Sequence, residues 1–418
     1  MLDGPFGAGA GERPLRRVIG KAGESSRPEI VSDAFARLAH ALGTAFKESP
    51  GEPWPEDVFE LWAQKVFTYQ FETNPVYAEY VRKRGVTPST VAHWSEIPWV
   101  PASAFKAVPL VSGDPSRVER VFRTSGTTGA GRRGEHHVLD LGLYKDSLIP
   151  NMRRHLYAGV PGVVGGRGGP DRPDGKEAIL PILALTPAPA VAPESSLSFM
   201  LGAALDVLSG GEGGFFVTRD GMIDTAGLSG ALVEAAARGT PILLAGTAFA
   251  FVHWLDWLKG RSVGFDLPRG SLIMETGGFK GRSRVLDRPE FYASLSEAHG
   301  VPSEAIVNEY GMTELLSQFY DGPRAALSGM ALEARRHVPP PWVRTRVLDP
   351  NTLSALPMGK PGLLCHYDLA NAGSVMAVLT DDLGVAVDDG FRVLGRVQGS
   401  EPRGCSLAMD DLLAGVPS

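Results

Sequence analysis

Apolar residues recur at helical spacing in the first part of the chain. Phe35, Leu38, Ala39 and Leu42 form one stripe, and Phe59, Trp62, Val66 and Phe67 a second, so the segment from Glu29 to Arg84 is predicted helical. The period breaks in a proline-punctuated stretch from Gly85 to Ala107, which contains Pro98, Pro101 and an amphipathic turn ending at Phe105. Val108-Pro-Leu-Val111 and Val118-Glu-Arg-Val-Phe122 read as strands that lead into a hydroxyl-rich loop at Thr124–Gly129, and Leu139–Leu156 reads as a helix. After a Gly/Pro-rich stretch at Gly159–Lys176, expected to be a surface loop, short apolar runs alternate with helical periods. Ile179–Leu185, Phe215–Val217, Ile242–Leu244 and Leu272–Met274 are the expected strands, and Ser196–Leu208 and Thr247–Lys259 the expected helices. This alternation points to an α/β architecture with a substantial sheet. From Val343 onward short strands and turns take over.

The pattern divides the chain into a flexible tail at residues 1–28, an α/β core at 29–342 that includes the N-terminal helical part, and a β-rich subdomain with a C-terminal segment at 343–418. Composition narrows the class. The chain has 418 residues, 43% hydrophobic and 21% charged, as in an ordinary soluble globular protein. Lys and Arg (41) nearly balance Asp and Glu (47), so no global basic field favours nucleic acid. Two cysteines, Cys365 and Cys405, are too few for a disulfide framework, and a reducing cytoplasm is the expected setting. The tail is rich in Gly, Pro and Arg without the apolar run of a signal peptide, and runs such as Ile242–Ala245 are too short for a transmembrane segment.

Two segments carry candidate chemistry. In Thr124-Ser-Gly-Thr-Thr-Gly129, glycines admit an anion close to the backbone while hydroxyls and N–H groups donate to phosphate oxygens. The same residues also make an ordinary turn, and no Gly-Lys-Ser/Thr follows as a P-loop requires. Arg132 and Arg133 either add charge beside a triphosphate or are solvated. In Asn308-Glu-Tyr-Gly-Met-Thr-Glu314, a tyrosine beside a glycine offers a flat face to a base, and a Thr-Glu pair offers a phosphate contact and a carboxylate for Mg²⁺.

Together, in this order, the two segments resemble the signatures of the adenylate-forming superfamily of acyl-CoA synthetases, peptide-synthetase adenylation domains and firefly luciferase. The resemblance implies ATP and Mg²⁺ as cofactors, with Thr124, Ser125, Gly126, Thr127, Thr128 and Gly129 forming the triphosphate loop. It places Tyr310 and Gly311 against adenine, Thr313 near the α-phosphate and Glu314 on the metal. Thr380-Asp-Asp-Leu383 resembles the ribose-binding signature, with Asp382 as the ligand, and Gly395-Arg396 the start of the hinge signature. There Val397-Gln-Gly-Ser400 replaces the usual aspartate pair. The usual members also continue into a mobile C-terminal domain that carries a lysine for adenylation, whereas fourteen residues follow Gly404 here. The expected fold is therefore the large α/β domain of an adenylate-forming enzyme, with a short β-rich C-terminal segment instead of that mobile domain.

One branch resembles this layout, the fatty-acid acyl-protein synthetases of bacterial luminescence (LuxE-type). Gly246-Thr-Ala-Phe-Ala-Phe251, Glu275-Thr-Gly-Gly-Phe-Lys-Gly281, His366-Tyr-Asp-Leu369 and Glu401-Pro-Arg-Gly-Cys-Ser-Leu407 carry the likeness. It implies that a fatty acid is activated as acyl-AMP and held as a thioester on Cys405 before transfer to a reductase or another acyl-transfer protein. A Cys405 thiol is alternatively a small buried hydrophobe, and Cys365, in an apolar run, is expected in the core. Lys280 is a candidate for neutralising carboxylate or α-phosphate, or else an exposed loop lysine. His136 and His137 either meet the substrate or face solvent. Two rival readings are a stand-alone acyl-CoA ligase of the phenylacetate-CoA ligase type and an inactive adenylate-fold scaffold in an acyl-processing complex.

Overall fold

The N-terminal apolar stripes become three helices, α1 (Glu29–Glu48), α2 (Glu56–Thr73) and α3 (Pro75–Lys83). The structure, a computed structural model, describes residues 29–51, 53–125, 132–157, 180–277, 287–321 and 330–396, with residues 409, 412 and 413. Phe35, Ala39, Leu42 and Phe46 of α1, spaced four, three and four apart, are all buried, as that periodicity requires. The side-chain carbonyl of Asn74 accepts from the Tyr77 backbone N–H, with Pro75 opening α3, so the chain turns from α2 into α3 with its first orphan donors satisfied. Buried Gln70 of α2 donates to the Asn371 carbonyl at 3.0 Å and accepts from Met376 N at 3.3 Å. The helices are thereby tied to the second half of the chain.

Next come β1 (Val100–Pro101), the single turn α4 (Ala104–Ala107), the hairpin β2 (Arg120–Arg123) and β3 (Glu135–Val138), and α5 (Leu141–Met152), which runs into a π-helical turn at Arg153–Tyr157. The expected strand at Val108–Val111 is not one. Val108, Leu110 and Val111 are buried, but Pro109 lacks an N–H and no strand among the described residues pairs with the segment, so it packs without a ladder.

An α/β alternation follows: β4 (Ile182–Pro187), α6 (Ser196–Leu208), β5 (Gly213–Val217), α7 (Thr225–Arg238), β6 (Leu243–Thr247), α8 (Ala248–Arg261), β7 (Leu272–Thr276), α9 (Arg288–His299), β8 (Ile306–Tyr310) and β9 (Phe319–Tyr320). The six strands form one sheet in the order β5-β4-β6-β7-β8-β9, parallel except for the last pair. Its central strands read as continuous apolar runs, and β4, β6 and β7 are buried along almost their whole length, as parallel strands in an α/β sheet are. Ser195, Asp224, Thr247 and Asp287 cap the four helices α6 to α9 with side-chain oxygens.

The last strands, β10 (Val343–Leu348), β11 (Pro361–Asp368), β12 (Ala377–Val387) and β13 (Gly390–Arg396), pair antiparallel in sequence, and β1 joins parallel to β12. Cys365 lies fully buried on β11. Trp342, stacked on Phe46 at 4.4 Å, donates to Ser317 Oγ at 3.0 Å and so seals the helices against the seam between the two large sheets. No described helix is long and apolar enough to cross a membrane.

Candidate active site

Strand β8 ends at Tyr310, at the C-terminal edge of the parallel sheet where open α/β sheets bind ligands. The turn beyond it opens on Gly311. A Cβ on Gly311 would stand 2.4 Å from Glu309 Oε1, so the buried Glu309 carboxyl occupies the space a side chain would need. Glu309 in turn accepts from Thr276 Oγ1 at the end of β7. Gly277 then takes a left-handed φ of 76°, which suits glycine. The Glu275-Thr-Gly and Tyr310–Glu314 segments are thus joined at their base.

The Tyr310 ring sits among His337, His366, Phe319 and Phe391, with centroids 5.7–5.8 Å away. Its hydroxyl donates to Asp382 Oδ2 at 2.8 Å, while Arg396 Nε donates to Asp382 Oδ1 at 2.9 Å. Three residues named from three separate motifs therefore converge, β8 meeting the β12–β13 hairpin across the seam between sheets. Burial and the Asp382 charge hold the phenol well above its usual range, so Tyr310 stays a donor.

Glu314 is buried four residues beyond Tyr310. Desolvation pushes it up to about 7, against the pull of a backbone N–H, Arg396 and Lys106, with Asp381 adding to the rise. A single desolvated carboxylate of this kind fits Mg²⁺, which takes one or two carboxylates and completes its shell with water and substrate phosphates. Among the described residues no cluster of three or more His, Cys, Asp or Glu could hold a metal by itself.

The hydroxyl-rich loop enters from the β2–β3 hairpin. Its described ends are closed by Thr124, whose N–H donates to the Gly134 carbonyl at 3.0 Å and whose Oγ1 accepts from Gly134 N at 2.9 Å. Arg133 is committed to this closure, donating to the Thr124 carbonyl at 2.6 Å, and Arg132 donates to Ala107 O at 3.4 Å. Ser125 is exposed. Gly126, Thr127, Thr128, Gly129, Lys280 and Cys405 lie outside the described residues.

His136 joins the hairpin to the turn. It is buried on β3 and its Nδ1 lies 2.8 Å from the Thr313 carbonyl. Burial lowers its pKa to about 4, so the ring is neutral and Nδ1–H is the donor. It pins the β2–β3 hairpin to the turn that follows β8. His137, half-buried, pairs with Glu135 at 3.8 Å. Sequence reasoning also missed the support on the far side. Asn371 Nδ2 donates to the Glu314 carbonyl at 2.8 Å, and Leu316 N donates to Asn371 Oδ1 at 2.9 Å. Asp368 accepts from Ser317 Oγ at 2.7 Å. Only the His366–Leu369 likeness pointed to that region.

This fold is that of the adenylate-forming α/β ligases. Among solved structures the chain is similar to 2-hydroxyisobutyryl-CoA ligase in an open conformation with 2-HIB-AMP and CoA, at TM-score 0.58 and 16% identity, covering 83% of this chain and 72% of that one. The postadenylation state of the same ligase with 2-HIB-AMP also aligns at TM-score 0.58 and 16% identity, over 83% and 69%. Residues 215–414 match the family model for acyl-protein synthetase, LuxE. The chain is 25% identical over 352 residues to the long-chain-fatty-acid–luciferin-component ligase of Vibrio harveyi, covering 82% of this chain and 85% of that one. It is 27% identical over 184 residues to the ligase of the same name from Aliivibrio fischeri, 41% of this chain and 46% of the relative. The acyl-protein synthetase likeness read from the sequence is borne out.

Proposed function

We propose that this protein activates a long-chain fatty acid with ATP as acyl-AMP and then holds the acyl group as a thioester on Cys405. The observation that carries the reading is the convergence of Tyr310, Asp382 and Arg396 beside buried Glu314, with Thr313 pinned by His136 to the hairpin that bears the hydroxyl-rich loop. The names of the relatives support a long-chain fatty acid as substrate. Tyr310 packs beside adenine, and Asp382, oriented by Tyr310 and Arg396, meets the ribose hydroxyls. Thr124–Gly129 cradle the triphosphate, and Thr313 contacts the α-phosphate. Glu314 holds Mg²⁺, which offsets the phosphate charge when bound.

A carboxylate oxygen of the acid attacks the α-phosphorus, an O–P bond forms, and the bond to the β-phosphate breaks with its electron pair leaving on pyrophosphate. The barrier falls through positioning and fixed electrostatics. In the second step the Cys405 thiol loses its proton, the sulfur attacks the acyl carbonyl, and AMP departs with the C–O electron pair. A separate reductase or acyl-transfer protein then takes the acyl group, in a cytoplasmic setting that keeps the thiol reduced.

Labelled fatty acid with ATP tests both steps. Wild type is expected to exchange pyrophosphate in an acid-dependent way and to acquire label that hydroxylamine removes. Cys405→Ser should keep the exchange and lose the stable label. Soluble acyl-CoA formed without protein-bound label would instead make the chain a CoA ligase, and absence of exchange with every acid would make it an inactive scaffold.

A further inference from the structure

We propose that Lys106 is a catalytic residue of adenylation, its ammonium group contacting the phosphates of the bound nucleotide at the mouth of the hydroxyl-rich loop. This rests on the adenylation reading above, but its grounds are separate.

The single turn α4 is held on two sides. Ahead of it, β1 pairs with β12 through Val100 and Pro101 opposite Val378 and Leu379, and Ala102 N donates to Leu379 O at 2.8 Å. Within it, Phe105 is buried against the His136 ring, with centroids 5.5 Å apart at 76°. Successive side chains of a helical turn diverge by about 100°. With Phe105 directed into the core, Lys106 is turned out of it and is exposed. The segment is therefore fixed to the strand that carries Asp382 and to the histidine that pins Thr313.

The Lys106 stem then runs to the loop. A Cβ built on Gly134 would stand 3.0 Å from Thr124 Cγ2 and 3.5 Å from both Thr124 Oγ1 and Lys106 Cγ, so the Lys106 stem lies beside Gly134, which closes the loop with Thr124. Its charge also opposes the desolvation of Glu314.

The neighbouring cations are already engaged. Arg133 donates to the Thr124 and Arg123 carbonyls, Arg132 to the Ala107 carbonyl and Arg396 to Asp382. The Lys106 ammonium makes no hydrogen bond or ion pair with a described residue. A cation with no partner among the described residues, on a braced turn beside the described ends of the hydroxyl-rich loop, is suited to stabilising charge that builds on phosphate oxygens as pyrophosphate leaves.

The test uses the full chain, with Lys106→Met and Lys106→Gln as neutral variants and Lys106→Arg as the charged one. Removing the charge is expected to lower kcat of acid-dependent ATP–pyrophosphate exchange about 100-fold, with a smaller change in KM for ATP. Lys106→Arg should recover most of the loss, and the melting temperature should stay within about 2 °C in all three, since the side chain is exposed. A folded neutral variant exchanging within about threefold of wild type overturns the proposal. So does Lys106→Arg as inactive as Lys106→Met with its melting temperature intact. If wild type exchanges with no acid, the adenylation reading fails instead. The phosphate contact is then judged by binding of a non-hydrolysable ATP analogue, where equal affinity of wild type and Lys106→Met overturns it.

Discussion

Strand β8 begins in one environment and ends in another, and its neighbour β7 changes with it. At the first end Ile306 and Val307 stand opposite Ile273 and Met274, all fully buried and apolar. Two residues later the same ladder pairs Glu275 with Asn308 and Thr276 with Glu309. Asn308 donates to Glu275 at 2.6 Å, Tyr292 donates to it at 3.0 Å, and Arg288 and Arg335 pair with Asp321 beside them. Desolvation pushes Glu275, Glu309 and Glu314 each up to about 7. The apolar end is stabilised by burial, whereas the polar end places costly buried carboxyls beside the proposed nucleotide site. Stability and chemistry are thus drawn from opposite ends of two strands.

The strongest test of that contrast is Glu314→Gln. Pyrophosphate exchange is expected to fall by about three orders of magnitude, or about 4 kcal/mol, because the proposed metal ligand is lost. The nucleotide-free protein should at the same time become more stable at pH 8. Its folded-state pKa of about 7 lies above the ordinary 4.5, so the carboxyl's favourable contribution is full below about 4.5 and is lost as pH rises through 7. Glutamine escapes that loss, by about 1–3 kcal/mol at pH 8 and near zero at pH 4. Urea denaturation at the two pH values measures the difference; a gain independent of pH would mean that the carboxyl is not the source.

At the apolar end, Leu244→Ala on β6 should do the reverse. Leu244 is fully buried, and truncation is expected to cost about 2–5 kcal/mol of stability. Exchange per folded molecule should change little. A large loss of activity at full stability would show that the two ends are coupled rather than separate.

The smallest effect is expected from Tyr310→Phe. It removes the donor that orients Asp382 while keeping the ring, so ATP affinity should weaken by about 1 kcal/mol, roughly fivefold. Titration with an ATP analogue checks this. Unchanged affinity would leave Arg396 as sufficient to hold the carboxylate.

Much of the architecture was legible in residue patterns. The helix at Ser196–Leu208 begins and ends where its apolar period does, and the strands β4 to β7 fall on the expected apolar runs within a few residues. Helices α7 and α9 were not anticipated. Both are Ala- or polar-rich with few buried positions, so no strong stripe announces them. Val108–Val111 failed in the other direction, since an apolar run specifies burial but not a pairing partner.

For the candidate site, Tyr310, Glu314, Asp382 and Arg396 could be named because each stands in a motif. His136, Asp368 and Asn371 could not be assigned what they do, because their partners lie as far off as Thr313, Ser317 and Glu314 in the chain. The sequence by itself determined the alternation of elements, the caps and glycines that punctuate them, and the residue types available for nucleotide chemistry, since these depend on neighbours within a few residues. Only the tertiary structure decided which side chains meet across the seam between the sheets, that His136 is neutral, and that Glu314 is driven towards 7. Those outcomes depend on desolvation and on contacts between distant segments, and no local pattern encodes either.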